Sequence, residues 1–249
     1  MIMTMRRSTM GRGRSAWAAP LGILIAATVW VQAIAAGDDP YPAMAPVSQY
    51  LIASRAEEIS LAKSAAPASV ADHAEVLVLG ARGYETAVKG TNGFVCFVGR
   101  SWDVSFVDPQ FWNPKIRSPQ CDNATSARSV LPRYLTRTER VLTGVSKAEM
   151  QKREAAERAA GTLKAPDPGA MCYMMSKGGY LNDANGPWHP HVMFFAPRTD
   201  DAAWGANLPG SPVDSDSASY DETTIFMVVV ASWSDGTPAP LHKEVLPKR

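Results

Sequence analysis

Two imidazoles stand two positions apart in Trp188-His189-Pro190-His191, at the end of a loop rich in Gly, Asn and Asp. In an extended chain residues i and i+2 point to the same side, so His189 and His191 can converge on one ion. Imidazole is a common ligand for zinc, copper, nickel and iron. A catalytic metal site normally takes three protein ligands. Asp183, Asp200, His73 and His242 are the candidates for the third, none at a diagnostic spacing. The set His189, His191 and Asp183 would hold a divalent metal, zinc or copper, and would suit a metal-dependent hydrolase. The competing reading is structural: one histidine caps the strand backbone while the other packs against Trp188.

The same region supports a binding reading. Trp188, Trp204, Tyr180 and Phe111 or Trp112 fall in loops, beside Asn182, Asp183, Asn185 and Asn207. Rings flanked by amides and carboxylates suit a small polar ligand such as a sugar or peptide, by stacking and hydrogen bonding. Trp188, His189, His191, Trp204 and Asn207 form the candidate ligand-binding set; alternatively, the rings simply pin long loops. An envelope partner, or a structural envelope protein without a ligand, is a further reading.

Nucleophilic chemistry has weaker support. No G-x-S-x-G elbow occurs, and Ser60-Leu61-Ala62-Lys63 matches S-x-x-K without the companion motifs that family of sites requires. Cys172 could pair with His189 or His191 if their strands are neighbours; a buried structural thiol is the competing account. Walker A, Rossmann and H-E-x-x-H patterns are missing from the sequence. No catalytic residue is assigned.

The elements that must position these groups are Met171–Met175 and Val192–Ala196, two short apolar runs read as strands around the polar loop. Thr224–Trp233 is the most strand-like segment, apolar on both alternations and so expected inside a sheet. Earlier, Val47–Ala66 reads as an amphipathic helix closed by Pro67. Glu75–Leu79, Tyr84–Val88 and Phe94–Val98 read as an antiparallel meander, with Asn92-Gly93 as the second hairpin turn. Tyr84, Thr86 and Val88 should face a core. Asp103–Val107 is a further short strand, and Asp108–Asn123, with three prolines, a long loop.

Ser126–Thr143 reads as helical, with a start or kink near Pro132. Ser146 and Glu149 form a capping box that opens a helix to Ala160, stopped by Gly161. Its charges read as a solvated face. The long segment 198–223 reads as a polar connection. The order predicts an α+β fold: an antiparallel sheet of about six strands, two to three helices on one face, and long irregular loops.

Arg6, Arg7, Arg12 and Arg14 precede an uncharged run of about 15 residues, Trp17–Val31. That run is shorter than the roughly 20 residues a membrane span needs. Ala33-Ile34-Ala35 then supplies a small-x-small cleavage pattern. Residues 1–35 are therefore expected to be a cleaved signal peptide, 36–46 an extended leader, 47–236 one domain and 237–249 a Pro-rich tail. Export would place the protein in the periplasm or outside the cell.

The chain carries 25 Lys+Arg against 24 Asp+Glu, and losing the four leader arginines leaves 21 against 24, a net charge of about −3. That balance argues against nucleic acid as a partner. No later stretch is apolar and long enough to span a membrane. Of the three cysteines, Cys96 and Cys121 are the preferred disulfide in an oxidising compartment, leaving Cys172 as a buried thiol.

The segments GAMCYMMSKGGYLND, WHPHVMFFAP and WGANLPGSP resemble a family of uncharacterised exported bacterial proteins. GYETAVKGTNGFVCFV and FWNPKIRSPQCDNA fit the same resemblance, which covers most of the mature chain. It implies export and a shared fold, and no activity or functional residue.

Overall fold

The helix expected over Val47–Ala66 begins only at Arg55. Val47–Gln49 is a single 3-10 turn, and helix α1 runs Arg55–Lys63. The carbonyls that would continue a helix between them are taken by two arginines. Arg100 Nε donates to Tyr50 O at 2.7 Å, and Arg117 Nη2 to Gln49 O and Leu51 O at 3.1 and 3.3 Å. Ser54 then accepts from Glu57 N at 3.1 Å, and with Glu57 and Glu58 in the first turn it starts α1. Pro67 does not close this helix; it precedes a second, α2 (Ala68–Ala71). A computed structural model describes residues 40–184, 186–216 and 223–240. The expected signal peptide, Asn185, His242 and residues 241–249 of the tail lie outside the described residues.

Strands β1 (Glu75–Gly80) and β2 (Gly83–Val88) form the expected antiparallel hairpin. Strand β3 (Val95–Gly99) does not complete a meander. It lies on the far side of β1 and runs parallel to it, pairing Glu75 with Val95 and Val76 with Cys96. Asn92-Gly93 is a docking turn and not a hairpin: Asn92 Nδ2 donates to Val70 O at 2.8 Å, and Thr91 N to His73 O at 2.8 Å. That anchor carries the chain across α2 before β3 begins. β2 is thereby an edge strand, and of Tyr84, Thr86 and Val88 only Tyr84 is half-buried.

Asp103–Val107 is not a strand. Ser101–Asp103 forms a 3-10 turn, and Arg137 Nη1 takes Trp102 O and Val104 O at 2.9 and 2.8 Å, so these carbonyls cannot join a ladder. The Pro-rich loop contains a strand that sequence reading missed, β4 (Ser118–Asp122). Pro119 is tolerated there because it pairs with Val98 of β3, beyond the two residues where β4 meets the next strand.

Helices α3 (Ala124–Ser129) and α4 (Leu131–Leu142) break at Val130, with Pro132 in the first turn of α4, as the sequence predicts. Helix α5 (Lys147–Ala159) is capped by Ser146, which accepts from Glu149 N at 3.2 Å. It is not a wholly solvated face: Met150 and Glu154 are buried. Strands β5 (Met171–Met174) and β6 (His191–Pro197) are antiparallel neighbours. Inside the expected polar connection lies β7 (Val213–Asp216), an edge strand, and β8 (Thr223–Val229) sits between β6 and β7. The tail doubles back where it is described, with Ala239 N donating to Ala231 O at 2.9 Å.

Among the described residues the sheet thus has eight strands and not about six, in the order β2-β1-β3-β4-β5-β6-β8-β7, antiparallel throughout except for β1 with β3. The α+β class stands, but the helices cover both faces. Successive strand residues point to opposite sides. Val76, Cys96, Val98 and Cys121 pack under α1 and α2 with Ala62, Ala65 and Ala71. Leu77, Phe97, Cys172 and Phe195 point the other way, onto Val130, Leu131 and Tyr134. Buried Arg100 and Glu58 join α1 to the sheet at 2.8 Å, and Glu58 Oε1 also accepts from Leu79 N at 3.0 Å. Among the described residues no helix is long and apolar enough to cross a membrane.

Candidate functional site

His191 opens β6 opposite Met174 of β5, on the α4 side of the sheet, and only 2% of it is exposed. Its Nδ1 meets His189 O at 2.7 Å, and since a carbonyl can only accept, Nδ1 carries the hydrogen. The Trp188 ring stands edge-on to His191, centroids 4.5 Å apart, and 5.9 Å from the His189 ring. Burial pushes the His191 imidazole down to about 4, so it is neutral at ordinary pH. Trp188, His189 and His191 are brought together, with one histidine engaging backbone and the tryptophan covering it. Trp188 reaches this position with φ 56°, left-handed backbone that a bulky residue seldom adopts.

Asp183 is occupied elsewhere. Its carboxylate accepts from Tyr180 and Tyr41 hydroxyls at 2.6 and 2.5 Å and from Asn113 Nδ2 and Lys115 Nζ at 3.3 Å each. The two tyrosine hydroxyls, then the lysine and the amide, hold it well below the usual carboxylate range. Among the described residues no three His, Cys, Asp or Glu side chains are grouped to hold a metal. His189, His191 and Asp183 are therefore not an assembled ligand set; Asp200 and His73 supply no replacement, and His242 lies outside the described residues.

Trp204 and Asn207 have structural partners. The Trp204 ring stacks on Phe226 of β8 at 4.6 Å while its outer face is exposed. Asn207, at φ 58°, accepts from Ser215 N at 3.0 Å and donates to Ser215 Oγ at 2.9 Å, mimicking a strand neighbour for β7. Phe111 and Trp112 are buried in a core cluster with Trp102 and Tyr50. The bland account of these loop rings, that they pin loops, describes their geometry.

The cysteines fall as expected: Cys96 and Cys121, directly paired on β3 and β4, form the disulfide, and Cys172 is a buried free thiol. The disulfide ties two adjacent strands. Burial, and then the Asp122 carboxylate beside it, raise the Cys172 thiol well above its ordinary value. It shares the α4-side face with His191, standing opposite Met193 while His191 stands opposite Met174. It belongs to a polar row under α3 and α4, with Asp103, Gln120 and Asp122. Asp103 and Gln120 close over Gly99, where a Cβ would stand 2.6 Å from Asp103 Oδ2 and 3.0 Å from Gln120 Nε2.

Asp122 is fully buried and neither carboxylate oxygen accepts a hydrogen bond of ordinary geometry. Burial pushes it up to about 8, although the Ser126 hydroxyl is near enough to lower it slightly. Asp103 is pushed to about 6 for the same reason, opposed by the Arg100 backbone N–H. This row was legible only as period-two alternation, Ser118, Gln120 and Asp122 against Pro119 and Cys121.

One shallow groove with converging side chains, about 30 Å³ in volume, lies on the same sheet face, toward the other end of β6. It runs between the α3–α4 junction, the segment after α5, and the β6–β8 pair. Val130, Tyr134, Phe195 and Ile225 line its floor, and Arg133, Arg158 and Lys164 its rim. These three cations come from α4, the last turn of α5 and the loop beyond it. Each reads in sequence as an ordinary helix or loop charge, so no local signal marks them. No family model, curated protein or solved structure matches this chain.

Proposed function

We propose that the protein is an exported binding domain that takes a small ligand or a partner against the shallow groove between the α3–α4 junction and the β6–β8 pair. The observation that carries this reading is the joining of an apolar floor, Tyr134, Phe195 and Ile225, to a rim of Arg133, Arg158 and Lys164. The loops around Trp188–His191 and Trp204–Asn207 are the less favoured seat, because His191 Nδ1 and the Asn207 amide are already engaged by the fold. Export through a cleaved leader rests on the N-terminal sequence pattern and the exported-family resemblance, and a Cys96–Cys121 disulfide suits an oxidising compartment.

Two measurements test the reading. Fractionated cells and intact-mass analysis should find a mature chain starting at Ala36 or Gly37; a full-length cytosolic product would remove the export half. Backbone NMR during titration with a panel of small metabolites should give saturable shifts at Val130, Phe195 and Ile225. Shifts centred on Trp188 and His189 would move the seat back to the loops.

A further inference from the structure

We propose that the α4-side face of β5 and β6 carries a site for a soft monovalent metal ion, copper(I), held by His191 Nε2 and the thioethers of Met174 and Met193. The site goes beyond the groove reading, and none of its ligands lines the groove. Cys172 and Met174 of β5, His191, Met193 and Phe195 of β6, and Met227 of β8 alternate onto one face. The three methionines pack on the same core cluster as Cys172 and Phe195. Register brings the donors together. Met174 stands directly opposite His191, where paired Cα atoms lie about 4.5–5.5 Å apart. Met193 is two residues further along the same strand, about 6.8 Å away, and long side chains reach across either gap. Both thioethers are half-buried, so each keeps contact with solvent. Met227, opposite Met193, continues the thioether row on β8.

His191 is prepared as a ligand. Its Nδ1 carries the hydrogen that His189 O accepts, and the Nε2 lone pair is unengaged among the described residues. A ring N–H held by a backbone carbonyl is the usual support of a metal-binding imidazole. The Trp188 ring, its centroid 4.5 Å from that of His191, places a π surface beside the donors. Trp188 holds this position on left-handed backbone, φ 56°, strain of a kind that clusters at ligand sites. The donor set picks the metal. Thioethers are soft and favour copper(I). All three donors are uncharged, so nothing offsets the second charge of zinc, whose sites draw on thiolate, imidazole and carboxylate. Cys172, on the same face, is fully buried, and burial keeps its thiol protonated; it is a neighbour of the site and not a ligand. Outside the described residues the mature chain adds no methionine or cysteine, and His242 is its one further imidazole there.

The test titrates the full mature protein with silver(I), and anaerobically with copper(I), and follows the methionine ε-methyl and histidine imidazole signals by NMR. One equivalent should saturate shifts at Met174, Met193 and His191, and X-ray absorption of the copper(I) form should count two sulfurs and one nitrogen. Met174→Leu and Met193→Leu keep side-chain volume, so the fold survives while each loses a donor. Each should weaken copper(I) at least about ten-fold, since even groups that only support a ligand are worth that much. Cys172→Ala and His242→Ala should leave the affinity unchanged. Binding that survives both leucine variants, or that is lost with Cys172→Ala or His242→Ala, would overturn the site. Zinc giving the same shifts at the same concentration would overturn the soft-metal assignment, and no saturable shift would overturn the metal altogether. None of these outcomes bears on the groove, whose signals at Val130 and Ile225 should stay unmoved.

Discussion

Arg137 of α4 grips Glu154 of α5 through two hydrogen bonds, Nε to Oε1 at 2.7 Å and Nη2 to Oε2 at 2.6 Å, with both residues 2% exposed. The same guanidinium holds the Trp102 and Val104 carbonyls and lies 4.2 Å from the centre of the Phe106 ring. One cation therefore joins two helices to the irregular chain that follows β3. Removing Glu154 leaves the buried Arg137 without its counter-charge, and removing Arg137 leaves buried Glu154 only the more distant Arg158, at 3.9 Å. Glu154→Ala or Arg137→Ala should each cost about 3–5 kcal/mol. Urea unfolding of a double-mutant cycle should show the double variant losing much less than the sum; additive losses would contradict the coupling.

The disulfide should be a second large contributor. Cys96 and Cys121 are 25 positions apart, so closing that loop contributes roughly 3–4 kcal/mol in the chain-entropy account. A reductant, or the pair Cys96→Ala and Cys121→Ala, should lower the urea midpoint accordingly. Thiol labelling should find no reactive cysteine in the folded oxidised protein and one, Cys172, after unfolding. Rapid labelling of Cys172 in the folded state would refute its burial.

Asp122 should make the protein less stable in mild alkali. Its folded-state pKa is about 8, whereas an unfolded aspartate titrates near ~3.9. Between those values the unfolded chain has released a proton that the folded chain keeps. Stability therefore falls as pH rises through that window, by up to about 1.4 kcal/mol per pH unit. Asp103, raised to about 6, adds to the lower part. His191, lowered to about 4, acts oppositely: it contributes loss only as pH falls below ~6.5. Between about pH 6.5 and 8 Asp122 contributes more than Asp103 or His191. Asp122→Asn, which keeps the shape of the neutral acid, should flatten stability there. Equal slopes for both proteins in denaturant titrations at pH 6.5 and 8 would sink this assignment.

Asn207 should matter to the edge of the sheet and not to ligand contact. Its φ of 58° and its bonds to Ser215 make two separable contributions. Asn207→Gly keeps the backbone and loses the bonds; Asn207→Ala loses the bonds and adds about 1–2 kcal/mol of left-handed strain. Hydrogen exchange at β7 amides should therefore quicken in both, more in the alanine variant. Unchanged exchange in both would show that the side chain does not anchor β7.

Much of this was readable where the signal was local. The Ser146 cap, the break at Pro132, the β1–β2 hairpin, and the β5 and β6 runs all follow from side chains within a few residues of the backbone they direct. Where a distant side chain intervened, local reading failed. Arg100 and Arg117 claim the carbonyls before α1, and Arg137 those after Trp102. Both stretches look helical or extended only while those arginines are out of view. β4 was hidden by Pro119, and β7 by its polar residues Asp214, Ser215 and Asp216, acceptable at a sheet edge.

The candidate site divides along the same line. Sequence alone placed Trp188, His189 and His191 within four positions, so their nearness is a covalent constraint. It also singled out Cys96 and Cys121 as the pair and Cys172 as the buried thiol. Only tertiary structure decided that Asp183 serves Tyr41 and Tyr180, that α1 and α4 cover opposite faces, and that Arg133, Arg158 and Lys164 meet over Phe195 and Ile225. Those relationships join residues far apart in the chain, and burial and charge pairing fix them only when the sheet brings the segments together.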